Sequence, residues 1–472
     1  MQVLHLSAEC YPVAKVGGLG DVVGALPKYQ CQLGVDAKVI MPWYNKPFVR
    51  QNQFYVVHDA WINQGGRHLH VRIFKEQNDV LGFDLFLVMI DGLLDRDNVY
   101  AYHDESEQFI AFQHAVCQWV NVWENKPDVI HCHDHHVGLV PFMLKYCYDF
   151  PWIRHVKTVG TVHNGQYQGV MGWDKAALLP AFDSYKWGYL DWNNNINSLA
   201  ALIKCCDGYT TVSPGYLQEI FSNANGLEAL FAAEWAKARG IVNGIDTEVW
   251  NTETDPMLQH TYTAKNVDKG KLQNKKALCE TFGLDDTKPL FSFIGRLVED
   301  KGADLLYDIF ASSMYATAYG LNAVILGSGS HAHEEAMRHL QNNFGGHIAS
   351  YVGYNESLAH KIYAASDFLI MPSRVEPCGL NQLYAMRYGT IPVVHRIGGL
   401  GDTVKDFGEW QGYGICFSDA SVYSAAHAIA RAVALYQDKK GNLPALRKKV
   451  MSLDFSWERS AKQYNEIYEH IK

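Results

Sequence analysis

A rhythm that runs, breaks and restarts is what most constrains this chain. Over the first half, short apolar runs alternate with helical patterns: VLHL (3–6), AKVIMP (37–42), PDVIHCHD (127–134), KTVGTVHN (157–164) and DGYTTVS (207–213) read as strands. Amphipathic patterns over about 21–32, 105–124 and 138–148 read as the helices between them. Buried strands joined by helices imply parallel pairing with both faces covered. Residues 53–90 hold FYVVHDAWI, HLHVRIF and DLFLVMI and read as a local β insert. VNGIDTEVWN (242–251) and the polar stretch 252–271 interrupt the rhythm. PLFSFIG, NAVILG, HIASYVG, DFLIMPS and TIPVVHR then resume it between 289 and 396. The expected class is therefore α/β, with two doubly wound Rossmann-like domains meeting near residue 245 and facing a central cleft. In such sheets ligands bind at the carboxyl ends of the strands.

Charge narrows the partners. Of 472 residues, 41 are basic and 50 acidic, a formal net of −9. That argues against a nucleic-acid coat or a polybasic membrane binder, while a local cation cluster can still meet an anionic substrate. No apolar run reaches the roughly 18 residues of a membrane span. The opening MQVLHLSAECYP lacks a basic stretch and soon meets Glu9, so no secretory leader is expected. Ten cysteines without a CxxC spacing read as reduced thiols in a cytoplasmic protein.

Five motifs could carry chemistry. GGLGD occurs twice, at 17–21 and 398–402, each between a strand and a helix. Glycines at a helix start leave N–H groups for an anion, and Lys15 adds charge beside the first copy. Gly18, Gly20 and Gly24 miss the dinucleotide spacing by one residue, which opposes a nicotinamide oxidoreductase. Arg296 and Lys301 follow a strand end and could neutralise a diphosphate, Arg as a fork and Lys as a point charge. In PSRVEPCGL (372–380), Glu376 lies between a turn and a helix start, where a carboxylate can bind sugar hydroxyls or act as nucleophile. In HCHDHH (131–136), strand geometry sends 131 and 133 to one face and 132 and 134 to the other. No second ligand cluster has metal-like spacing, so no metal is expected there, nor at Asp95 and Asp97. Asp134 at the strand end is the candidate from that run. His163 and Asn164 end another strand.

Taken in order, KVGGLGD, HCHDHHVGL, TVHNGQYQG, TVSPGY, VNGIDTEVW, GRLVEDKG, SRVEPCGLNQLYAMRYG and GGLGDTV resemble the bacterial glycogen synthases and plant starch synthases over nearly the whole chain. The closing SWERSAKQYNEIY is similar to that family's C-terminal helix. The resemblance implies a GT-B fold and metal-independent, retaining transfer of glucose from ADP-glucose to the non-reducing end of an α-1,4-glucan such as glycogen. It implies no cofactor. Residues 1–244 would be the acceptor domain, with 455–472 crossing back onto it, and 245–454 the donor domain. Lys15 and Gly18 would approach the donor phosphates and sugar, and Arg296 and Lys301 would grip the diphosphate. Glu376, with the amides of Cys378 and Gly379, would hold glucose hydroxyls. His163 would lie near the C6 hydroxyl with Asn243 close by. Asp134 and Glu9 would line the acceptor side, and Tyr354 would flank the nucleobase. Asp21, Asn164, Leu380, Gly399 and Leu400 complete the candidate substrate-binding set.

The chain departs from the family pattern at Asn381 and Ile397, where Thr is usual, and at Ala200, where Lys is frequent. These bear on nucleotide choice and acceptor contacts. UDP-glucose, a different acceptor, or a glucan-binding protein without catalysis are the alternatives. Retention ordinarily calls for a carboxylate nucleophile. The resemblance implies instead front-face attack assisted by the departing phosphate, with Glu376 orienting the sugar.

Overall fold

The computed structural model of the chain describes residues 1–438 and 442–472. They form two compact units, Met1–Gly244 with Trp457–Lys472, and Ile245–Ser456.

The first unit carries β1 Gln2–Leu6, β2 Asp36–Pro42, β3 Phe54–Gln64, β4 Arg67–Glu76, β5 Asp84–Met89, β6 Val129–His133, β7 Lys157–Val162, β8 Val170–Met171, β9 Asp191–Trp192, β10 Asn195–Asn197, β11 Gly208–Thr211 and β12 Ala238–Gly240. Nine of these make one sheet in the order β12-β11-β7-β6-β1-β2-β5-β4-β3, while β8, β10 and β9 form a small separate one. Pairing is parallel from β12 through β5 and antiparallel from β5 to β3. Residues 53–90 are therefore not one insert. β3 and β4 are the added hairpin, but β5 pairs parallel with β2. Its continuous run Leu85–Val88 is buried, as an inner parallel strand requires, whereas β3 and β4 have exposed positions along them.

Helices cover both faces of this sheet. On one, Val3, Val129 and Val159 pack with Val22 and Leu26 of the helix Gly18–Gln32. Trp457, Ala461, Tyr464 and Tyr468 of the last helix, Trp457–Ile471, join them. Their 4-3-4 spacing is the buried stripe of an amphipathic helix. On the other face Phe86 of β5 packs edge-on against Trp119 of the helix Glu105–Val122, with ring centroids 4.9 Å apart. Pro27 stands inside its helix and has no N–H to give Val23 O, which instead accepts the Cys10 thiol at 3.6 Å.

The second unit has β13 Leu290–Leu297, β14 Asn322–Gly329, β15 Ile348–Val352, β16 Phe368–Met371, β17 Ile391–His395 and β18 Ile415–Phe417. They form one parallel sheet in the order β15-β14-β13-β16-β17-β18. The polar stretch after residue 251 folds onto this unit. Lys271 is buried with Nζ donating to Tyr363 O, Ala364 O, Tyr388 O and Thr390 Oγ1 at 2.7–3.1 Å. Phe455 and Ser456 stay with this unit, where Ile245 N–H donates to Phe455 O at 2.8 Å. Among the described residues no helix is long and apolar enough to cross a membrane.

Candidate active site

Chain order reverses between β1 and β6 in the first sheet and between β13 and β16 in the second. The carboxyl ends beside such reversals are where wound sheets bind ligands.

In the first unit Glu9 lies three residues beyond β1 and is buried. Its Oε2 accepts from Val16 N–H at 2.5 Å and Gly17 N–H at 3.0 Å, and its Oε1 accepts from the Tyr100 hydroxyl at 2.7 Å. A carboxylate thus sits at the positive end of the helix Gly18–Gln32. A Cβ added at Gly17 or Gly18 would meet nothing within 4 Å, so packing does not demand glycine there and the backbone stays open to approach. Lys15 Nζ pairs with Asp21 Oδ1 at 2.6 Å.

Asp134 ends β6 with φ 62° and ψ −175°, a conformation that costs a non-glycine residue about 1–3 kcal/mol. The neighbouring strand holds it there. Asp134 N–H donates to Thr161 O at 2.9 Å, and its Oδ1 accepts from His163 N–H at 2.7 Å. Burial pushes its carboxyl up to about 7, against the pull of those amides. His163, just past β7, is buried, which drives its imidazole down to about 3 and keeps it neutral. Asn164 Oδ1 accepts from Gln166 N–H at 3.0 Å, closing a local turn. Asn243, beyond β12, is buried with an Oδ1 that has no hydrogen-bond partner among the described residues. His131 and His133 share one face, with rings 4.2 Å apart. His5, His131 and His133 lie close enough to share an ion, but all six of their ring nitrogens are engaged in hydrogen bonds. Asp95 Oδ1 accepts from Gly92 N–H at 2.6 Å in its own loop.

In the second unit β13 leads into the turn Glu299–Lys301 and then Gly302, at φ 71°. A Cβ on Gly302 would lie 2.4 Å from Pro372 O, so only glycine lets the two loops approach. Asp300 O accepts from Arg374 N–H at 2.8 Å and Val375 N–H at 3.2 Å, and Arg374 pairs with Asp304 at 2.6 Å. The loops so tied bring Lys301 Nζ to 2.5 Å from Glu376 Oε1, while Ser373 Oγ donates to Oε2 at 2.9 Å. Arg296 does not follow the strand but is the last residue but one of β13, paired with Ser328 of β14; it is exposed and makes no ion pair among the described residues. Cys378 is buried, Gly379 takes φ 75°, and the N–H groups of Gly379 and Leu380 make no hydrogen bond among the described residues. Tyr354 stands exposed at the end of β15 with its hydroxyl donating to Glu356 at 2.9 Å.

The two GGLGD copies differ. The second opens a helix of only six residues, Gly398–Thr403, with Gly398 at φ 45°. Gly399 N–H donates to Glu376 O at 3.1 Å and Leu400 N–H to Ile397 O at 3.0 Å, so these two amides are spent internally and do not repeat the open start of the first copy. A Cβ on Gly399 would lie 2.1 Å from Cys378 O. Asn381 donates to Ile294 O at 2.6 Å and ties its helix to β13. Ile397 packs against the apolar cluster around Leu400 and Val404, and Ala200 is wholly buried.

Three contributors escaped the sequence reading. Ser373 stands within the quoted motif, three residues before Glu376. Tyr100 lies in an aperiodic loop and carries no signal. Gln30 is a buried amide on an otherwise ordinary helix.

Comparison with known proteins decides the family. A family model described as starch synthase catalytic domain matches residues 2–233, and one described as glycosyl transferases group 1 matches 274–442. A glycogen synthase of Flavobacterium johnsoniae is 51% identical over 471 residues, covering 100% of this chain and 99% of the relative. The chain belongs to the glycogen and starch synthase family. A glycogen synthase of Bacillus cereus is 37% identical with both chains covered in full. The catalytic domain of starch synthase IV from Arabidopsis thaliana, solved bound to ADP and acarbose, superposes with a TM-score of 0.90 at 32% identity, covering 100% of this chain and 99% of that one. Like its relatives, this synthase-family chain is a glycosyltransferase with the GT-B fold.

Proposed function

We propose that this family member transfers glucose from ADP-glucose to the non-reducing end of an α-1,4-glucan, with retention of configuration. The observation that carries the reading is the Lys301–Glu376 contact at 2.5 Å, followed in the same loop by the amides of Gly379 and Leu380, which make no hydrogen bond among the described residues. One charge pair and two N–H groups there address a sugar diphosphate at once. Lys301 and the exposed Arg296 offset the negative charge that develops on the leaving diphosphate, and each such donor is typically worth about 10²–10³ in rate. Cys378, Gly379 and Leu380 hold sugar hydroxyls, and Tyr354 flanks the nucleobase.

Glu376 orients the sugar and offsets positive charge at its anomeric carbon. Both of its oxygens already accept hydrogen bonds, from Lys301 and Ser373, which favours an orienting carboxylate over a nucleophile. The leaving phosphate then takes the proton of the attacking hydroxyl. His163 and Asn243 face the glucose, and the unsatisfied Asn243 Oδ1 suits a sugar hydroxyl. Lys15 and Gly18, with Asp21 holding Lys15, approach the donor. Glu9, Asp134 and Asn164 serve the acceptor side. The first unit is then the acceptor domain and the second the donor domain. The ten cysteines form no disulfide among the described residues, which suits a reducing cytoplasm.

The test is a donor panel of ADP-, UDP- and GDP-glucose with and without glycogen, following nucleoside diphosphate release. Glycogen-dependent ADP release at the highest kcat/KM is expected. Faster UDP release would move the reading to UDP-glucose, and glycogen binding without release from any donor would refute transfer.

A further inference from the structure

A continuous file of buried polar groups runs from the last helix to His163. Gln30 Nε2 faces two oxygens on that helix, Asn465 Oδ1 at 3.3 Å and Tyr468 OH at 3.2 Å. Its Oε1 lies 2.7 Å from His5 Nε2. His5 Nδ1 is 3.1 Å from His133 Nε2, and His133 Nδ1 is 3.0 Å from His163 Nε2. His5, Gln30 and His133 are fully buried, and His163 nearly so.

A neutral imidazole donates from one nitrogen and accepts at the other, so a file of them has a direction. The end at Gln30 sets it. The amide NH₂ has two donors and meets two oxygens, which leaves the carbonyl oxygen toward His5. His5 must then donate from Nε2 and accept at Nδ1. His133 donates from Nε2 to His5 and accepts at Nδ1. His163 donates from Nε2 to His133, and its Nδ1 is left as a bare lone pair with no partner among the described residues. Tyr468 fits the same sense. Accepting from Gln30, it donates to His131 Nδ1 at 2.7 Å, and His131 Nε2 donates to Thr161 Oγ1 at 2.6 Å. Burial keeps His5 neutral as well, pushed down to about 4.

We infer that Gln30, clamped by Asn465 and Tyr468 of the C-terminal helix, fixes the tautomer of His163 through His5 and His133, so that His163 meets its ligand as a hydrogen-bond acceptor at Nδ1. Gln30, His5 and His133 are positioning residues. That the ligand is the glucose of the donor rests on the function proposed above, but the tautomer does not. A sugar hydroxyl would then donate to His163, and a group offering only an acceptor at that place would be refused.

The test is long-range ¹H–¹⁵N correlation on the full chain labelled with ¹⁵N-histidine and free of ligand, with the His163 signals assigned by their loss in His163→Gln. The expected result is a pyridine-like Nδ1 and a pyrrole-like Nε2 for His163. The opposite pattern in the unaltered protein overturns the inference whatever the enzyme's activity. Gln30→Met removes the acceptor at the head of the file and is expected to mix the two tautomers. It should also lower donor kcat/KM roughly tenfold, about the worth of one neutral hydrogen bond. Asn465→Asp keeps an acceptor facing the Gln30 amide and is expected to retain the original tautomer. An unmixed His163 in folded Gln30→Met overturns the role of Gln30. Should Gln30→Met fail to fold, the unaltered protein and Asn465→Asp still decide the direction.

Discussion

At the reversal between β1 and β6, a carboxylate accepts from two amides and a phenol, and a file of imidazoles stays neutral behind it. At the reversal between β13 and β16, an ammonium touches a carboxylate and an exposed guanidinium stands by. The first site is built to hold uncharged hydrogen-bonding groups in a fixed sense. The second is built around net charge. A polymer of hydroxyls and a sugar diphosphate ask for these two kinds of surface. The same winding rule thus produces two crevices whose side-chain chemistry differs, as the acceptor and donor roles proposed above require.

Acid should separate the two units most strongly. His5, His114 and His135 are driven down to about 4 and His163 to about 3 by burial, and all four belong to the first unit. Unfolded, each would titrate near 6.5. Between these values the unfolded chain binds protons that the folded unit refuses, so stability present at neutral pH is lost as pH falls. From pH 6.5 to about 5 the loss is roughly 2 kcal/mol for each imidazole. Hydrogen exchange read by mass spectrometry should show β1, β6 and β7 losing protection before β13 and β16. Equal loss in both units would break the contrast.

Glu376→Gln comes next. The variant keeps the shape but not the charge, and kcat is expected to fall about 10³-fold with an unchanged melting temperature. Near-normal turnover would remove Glu376 from the charged site.

The two GGLGD copies give a paired test of smaller size. Gly399→Ala drives a Cβ into Cys378 O and should cost on the order of 2 kcal/mol, read as a lowered midpoint in urea. Gly18→Ala fills open space, so stability should hold while donor KM rises. If both destabilise alike, the copies have one structural job and the contrast fails.

Asp134→Asn is the finest probe. It keeps an oxygen for His163 N–H and removes a carboxyl whose charged form burial disfavours. The folded value near 7 lies above the ordinary 3.8, so wild-type stability from this group declines as pH rises from about 4 to 7. The variant should therefore gain on wild type across that window and level off above it. Its kcat should drop roughly tenfold, the size of a neutral hydrogen bond. A stability difference that does not change with pH would show that Asp134 does not titrate there.

Much of this division could be read before any coordinates. The restart of the strand rhythm announces two wound sheets, and strand ends announce Asp134, His163, Arg296 and Glu376, because a wound sheet puts its ligands there. The misreadings have physical causes. Reading DLFLVMI with the alternating runs beside it overlooks its unbroken apolar run, which marks an inner strand. Identical GGLGD strings suggested identical donors, but a six-residue helix pressed on Cys378 spends its amides internally. Lys271 looked like part of a polar break, and only three carbonyls and a threonine gathered from distant positions explain why it is buried. The partner of Lys301 lies 75 residues away, beyond the reach of local pattern.

Calorimetric titration of ADP into the wild type, Lys301→Ala and Glu9→Gln tests the division of labour most directly. Loss of the Lys301 ammonium should weaken ADP about 100-fold, and Glu9→Gln should leave it within about twofold, since the proposed function puts the Lys301 contact at the nucleotide and the Glu9 contact away from it. ADP bound by Lys301→Ala as tightly as by the wild type would contradict the account.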